Sequence, residues 1–191
     1  MPNEPFRMNP GFLPMRLALS LLSIAFAAAS FPATSAAQEA FGGIYAHGVD
    51  TPFTLDTNEG GLDVQAGVRF DEIESLLDMQ PYVFGSVNSV GDTSFAGAGV
   101  SWKAEVGAVY LRPGVGLVIH NAPALRVDPD TGFRTDLGSR VLFEPEIALG
   151  VDLSDSWSVE ASWVHISNAR LLDSEQNPGI DMMGLRVNYR M

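Results

Sequence analysis

The sequence predicts an all-β chain that closes as an eight-stranded antiparallel transmembrane β-barrel. Three observations carry this: an export signal at the amino terminus, no later apolar run long enough for a membrane helix, and period-two alternation broken by turn residues from residue 38 onward.

The export signal comes first. Arg16 leads into an apolar run from Leu17 to Ala29, followed by Pro32 and the small residues Ala33 to Ala37. A positive start, an apolar core and a small-residue cleavage site read as a secretory signal peptide, with cleavage expected after Ala37. Residues 1–14, with Glu4 and several prolines, fit such a start poorly, and Met15 offers a second one. The expected organisation is therefore a signal peptide over 1–37 and one barrel domain over 38–191.

Within the barrel segment the alternation predicts strands over Ala40 to Val49, Leu62 to Asp71, Pro81 to Ser89, Thr93 to Lys103, Val106 to His120, Ser139 to Asp152, Ser156 to Ser167 and Ile180 to Met191. Glu72 to Leu77 is expected to form one short helical turn. The connections after the first, fifth and seventh strands are long and those after the fourth and sixth are tight, with two exceptions: the connection after the second is longish and the one after the third is short. Outer-membrane barrels have this alternation, with short periplasmic turns, longer external loops and both termini on the periplasmic side.

Each strand has an apolar face and a face mixing charge with glycine. In the sixth, Val141, Phe143, Pro145, Ile147 and Leu149 oppose Arg140, Glu144, Glu146 and Gly150. In the eighth, Met183, Leu185, Val187 and Tyr189 oppose Gly184, Arg186, Asn188 and Arg190. A soluble β-sandwich shows the same alternation with the apolar face inward. The barrel is favoured because the polar faces carry both Arg112, Arg186 and Arg190 and Glu144, Glu146 and Glu160, as a filled lumen of paired charges requires. Glycines crowd those same faces, and Trp102, Trp157, Trp163 and Tyr189 lie near strand ends as interfacial girdles do. Pro113 and Pro145 each remove a ladder donor in mid-strand, which predicts a bulge at both.

The net charge of −12 at pH 7, with no basic stripe, argues against nucleic acid as a partner. There is no cysteine, so stability must come from closure, packing and lipid. His47 and His120 have no partners at ligand spacing and read as structural, and three isolated histidines make no metal site; no cofactor is expected.

Chemistry concentrates in Trp163-Val164-His165-Ile166-Ser167-Asn168-Ala169 and Asn177-Pro178-Gly179-Ile180-Asp181. His165 and Ser167 are two apart on a strand, so they leave the same face with Cα atoms roughly 6.5 to 7 Å apart. That is a base and nucleophile pair suited to acyl transfer. Their parity is that of Trp157, Val159 and Trp163, so the pair points outward, toward lipid. Asp181 shares its own strand's outward parity and can lie across the strand pair from His165.

The pattern His-x-Ser-Asn, a short loop, Asn-Pro-Gly and a closing strand ending Tyr-Arg-Met resembles the PagL family of lipid A 3-O-deacylases, and the specific match covers Trp163 to Met191. The resemblance implies a barrel in the bacterial outer membrane that acts on lipid A of the lipopolysaccharide, removing its 3-O-linked acyl chain. Carried over, His165 is the base, Ser167 the nucleophile and Asp181 the third member. The family has Glu at that third position, so the shorter Asp181 is expected to orient His165 less well, and Asp181→Glu to retain or raise turnover. The chain also ends in Met191 where outer-membrane barrels favour an aromatic. Asn168 is the first oxyanion candidate, through its side chain or backbone amide, and Asn177 the second. Arg170 could hold a lipid phosphate.

Two other readings remain at this point: a non-catalytic OmpX-like barrel whose external loops bind partners, and a soluble secreted β-protein. Assembly as a homodimer is also left open.

Overall fold

The structure is a computed structural model and describes residues 37–54, 57–123, 126–127, 132, 134–171 and 177–191. The expected signal peptide lies outside the described residues, except Ala37, which opens the first strand.

Eight strands build the barrel: β1 (Ala37–His47), β2 (Leu62–Phe70), β3 (Gln80–Asn88), β4 (Phe95–Ser101), β5 (Val109–His120), β6 (Val141–Asp152), β7 (Trp157–Ile166) and β8 (Ile180–Arg190). Each pairs antiparallel with its neighbour in sequence, and β8 pairs back onto β1, with Gly42 opposite Val187, which closes the sheet. Closure leaves no sheet edge, so every strand can satisfy its backbone inside the ladder, as a bilayer demands. The expected turn near Glu72 is a single 3-10 turn, Glu74–Leu76.

Alternation dictates the rest. Ile44, Val64, Val87, Leu117, Leu149, Leu185 and Val187 are exposed on the outside. Arg69, Arg112, Glu144, Glu160, Arg186 and Asn188 are buried inside. A sandwich would place these sets the other way round, so the soluble reading fails.

Half of the lumen is an ion-pair lattice. Arg186 donates to Glu160 at 2.7 Å and Glu146 at 3.0 Å, Arg112 donates to Glu160 at 2.8 Å, and Arg69 pairs with Glu39 and donates to Asn188 at 3.0 Å. Arg190 was expected to join it and does not: as the last residue of β8 it is exposed at the rim and donates to the Asp155 carbonyl. Toward the opposite end apolar side chains, including Phe84, Phe95, Val118, Leu142, Val164, Ile166, Ile180 and Met182, fill the barrel beside a buried polar cluster of His47, Asp63 and Asn88.

Neither proline makes the expected bulge, since the β5–β6 register runs unbroken through both. The Pro113 carbonyl accepts from Trp102 N–H, just past the end of β4, so the missing donor falls where no β4 strand residue needs it. Pro145 behaves differently. With Val164 opposite Glu146 and Ser167 opposite Phe143, it sits across from His165, and there the β6–β7 ladder stops and resumes only as the isolated Phe143–Ser167 bridge.

The connections 48–61, 89–94, 121–140 and 167–179 gather at one end, and 71–79, 102–108 and 153–156 at the other, together with both ends of the barrel chain. The end with the long connections is the external one in barrels of this type. It holds His165, Ser167 and Asp181.

Candidate active site

His165 is the penultimate residue of β7, and its direct cross-strand partner in β8 is Asp181. The Asp181 carbonyl accepts from Val49 N–H at 2.9 Å, on the β1 side, so its peptide groups face away from β7. His165 and Asp181 therefore form a non-hydrogen-bonded pair, the kind whose Cα atoms come within about 4.5 Å and whose side chains lie closest. This is why a one-methylene carboxylate reaches: Asp181 Oδ1 is 2.7 Å from His165 Nδ1. The expected handicap of Asp against the longer Glu is not what the geometry shows.

Asp181 is fully buried and His165 nearly so, although both sit on the outward face. The connection after β1 covers them. From it Thr51 Oγ1 donates to Asp181 Oδ2, and Phe53 packs on Trp163 with ring centroids 6.0 Å apart. Trp163 in turn stacks on His165, at 5.9 Å and 27°. Asp50, Thr51, Pro52, Phe53, Trp163 and Met183 line an apolar pocket of about 360 Å³ on the lipid side of this cover.

Ser167 is the first residue beyond β7 and keeps the strand's register through two backbone bonds to Phe143, Ser167 N–H to its carbonyl at 3.0 Å and Phe143 N–H back at 2.7 Å. It is buried, and it follows His165 on the outward parity. With Nδ1 of His165 held by a carboxylate, Nε2 is the nitrogen left to act as a base.

The remaining candidates are placed less directly. Asn168 is buried, but its side-chain amide donates to the Leu137 carbonyl at 3.0 Å and its Oδ1 accepts from Arg170 N–H at 2.7 Å. It closes a turn with Leu171 in which Ala169 and Arg170 both have positive φ. Arg170 is exposed at the tip of that turn. Asn177 is half-buried, and its Oδ1 is buried without a hydrogen-bond partner among the described residues.

Two contributors escaped the sequence reading. Gly179 reads as turn chemistry, yet with φ +66 it presses on the imidazole so closely that a Cβ there would lie 2.7 Å from His165 Cε1. Thr51 belongs to no motif and is 130 residues away from Asp181 in sequence. His47, expected to be merely structural, lies between Asp63 Oδ2 at 2.8 Å and Glu59 Oε2 at 2.7 Å and ties down the far end of the connection that carries Thr51.

Residues 43–190 match the family model of the lipid A 3-O-deacylase, PagL. The chain belongs to the PagL family. No curated protein matches it in sequence. Among solved structures it is similar to the outer membrane enzyme PagL, with a TM-score of 0.58 at 16% identity, covering 80% of this chain and 99% of that one. It is also similar to Neisserial surface protein A, with a TM-score of 0.54 at 7% identity, covering 82% and 99%. At these identities the likeness speaks for the eight-stranded fold. Family and fold together place this PagL-family barrel in the bacterial outer membrane. Nothing in the barrel or in these relatives supports a homodimer.

Proposed function

We propose that the protein is a lipid A deacylase that hydrolyses the 3-O-linked acyl ester by a Ser–His–acid mechanism on the outward face of the barrel. The observation that carries this is the 2.7 Å contact between His165 Nδ1 and Asp181 Oδ1. It lies on a face otherwise given to lipid, where polar groups cost free energy unless they serve a purpose. Membership of the PagL family supports lipid A as substrate. The apolar pocket beside Trp163 suits an acyl chain.

Depth agrees with this chemistry. Trp157, packed on Tyr189 at 4.7 Å, marks the girdle at the end opposite the site. His165 is eight residues further along β7, about 27 Å along the strand and roughly 20 Å of height at the usual tilt. That height falls in the outer half of an apolar band about 25 Å tall, on the side of the outer leaflet.

In the proposed reaction Ser167 Oγ attacks the acyl carbonyl while His165 Nε2 takes its proton. The tetrahedral adduct collapses, the sugar hydroxyl leaves with that proton, and water then cleaves the acyl-enzyme by the same route to release a free fatty acid. Asp181 keeps the proton on Nδ1 and stabilises the imidazolium. Oxyanion stabilisation is assigned to the backbone amide of Asn168, because its side chain holds Leu137, with Asn177 as a second donor. Arg170, exposed beside the site, is assigned to a lipid phosphate.

Mass spectrometry of lipid A from cells making the protein tests this. Wild type should remove one 3-O-linked acyl chain, and Ser167→Ala and His165→Ala should each abolish the change while the barrel still folds. The double variant should be little worse than either single, because the two act as a unit. Equal deacylation by Ser167→Ala and wild type would overturn the mechanism.

A further inference from the structure

We infer that Thr51 is a positioning residue of this site: its hydroxyl fixes the carboxylate of Asp181 so that the other carboxylate oxygen stays aimed at His165 Nδ1. The inference rests on the Ser–His–acid reading above and extends it to the first external connection.

The direction of the hydrogen bond follows from the partners. Thr51 Oγ1 accepts from Phe53 N–H at 3.1 Å, and an ionised carboxylate can only accept, so the hydroxyl hydrogen points at Asp181 Oδ2. Asp181 is therefore held at three atoms. Oδ1 meets His165, Oδ2 meets Thr51, and its main-chain carbonyl meets Val49 N–H. A lone aspartate facing an imidazole can turn about its Cβ–Cγ bond and tilt its oxygens out of the ring plane. A donor fixed on Oδ2 removes that freedom.

The donor is fixed because its segment is anchored at both ends. At the near end His47 N–H donates to the Gly61 carbonyl at 3.1 Å and Val49 is bonded to Asp181. At the far end Glu59 is held by His47 at 2.7 Å, by the Thr93 hydroxyl at 2.7 Å and by Thr93 N–H at 3.0 Å. His47 itself is seated on Asp63, and the side chains of His47, Glu59 and Asp63 are fully buried. Thr51 is thus presented by a strapped segment, so its hydroxyl is oriented before substrate arrives.

The competing role for this segment is a roof, with Phe53 over Trp163 and no part in aligning Asp181. Steady-state deacylation of lipid A in detergent micelles separates the two. Thr51→Val keeps the shape and loses the donor, and should lower kcat about tenfold or more with KM unchanged, the usual effect of losing a hydrogen bond to a charged group. Thr51→Ser should restore kcat to within about twofold. In an Asp181→Ala background Thr51→Val should cost nothing further, since its partner is already gone. Wild-type kcat in Thr51→Val, a change confined to KM, no rescue by serine, or a further loss in the Asp181→Ala background would each overturn the inference. Folding is read from heat-modifiable gel mobility, and if Thr51→Val fails that check Thr51→Ala carries the same expectations. A Ser167→Ala control separates the two levels: full activity there overturns the mechanism itself, whereas an inactive control beside a fully active Thr51→Val overturns only the role of Thr51.

Discussion

Asp181 is the residue at which sequence comparison and geometry part. Compared with the family's glutamate it is one methylene short, yet as the direct non-hydrogen-bonded partner of His165 it needs no extra reach. Both of its oxygens are already engaged and its surroundings are closed. A longer side chain must displace either Thr51 or the imidazole, and overpacking a closed site costs about 1–3 kcal/mol. Asp181→Glu is therefore expected to lower turnover about tenfold, contrary to the gain that chain length alone suggests. Asp181→Asn should be worse, by up to about 10⁴-fold, because an amide favours the wrong tautomer. Single-turnover deacylation measures both, and a wild-type rate for Asp181→Glu would show slack in the site that the packing does not contain.

Among the elements, the entrance to β8 does more than reverse the chain. Asn177-Pro178-Gly179 ends the connection from β7, and Gly179 takes φ +66 in contact with the His165 ring. Any side chain there meets the ring edge between the two nitrogens and must tilt both the bond to Asp181 and the approach to Ser167. An alanine also adopts this backbone at a cost of about 1–2 kcal/mol. Gly179→Ala should leave a folded barrel with kcat lowered roughly 10²-fold, the scale on which displacements near 1 Å act. Unchanged kcat would mean that the ring is free to move aside without consequence. The Pro145 position belongs to the same scale, since the ladder interruption it creates lies beside His165 and separates the Ser167 bridge from the rest of β7.

Over the whole molecule, the ion-pair filling and the candidate site lie on opposite faces of one sheet. The lumen is sealed by Arg186, Glu160, Arg112 and Arg69 with their partners, and the site lies outside it. Glu160 faces three arginines, so Glu160→Ala strands buried positive charge and should destabilise the barrel by about 3–5 kcal/mol. Urea unfolding of the barrel in lipid vesicles measures this. The folded fraction of that variant should still deacylate, because no lumen charge touches His165 or Ser167. A cost near zero would mean that water reaches the lattice and shares its charges.

The eight barrel strands and their approximate positions, the split between a charged inner and an apolar outer face, and the outward parity of His165, Ser167 and Asp181 were legible in the residues, because a period of two is local and survives in one dimension; the short strand Ala104–Val106, which folds back on the start of β5, was not. Three further things were not. The reach of Asp181 depends on which of two cross-strand pairings it makes, which is a matter of register between strands. The pressure of Gly179 on the imidazole depends on how a turn sits against a ring. The bond from Thr51 joins segments 130 residues apart and is made by a connection strapped down through His47, Glu59 and Asp63. Such long-range contacts leave no periodic trace in the chain, so only closure of the barrel decides them.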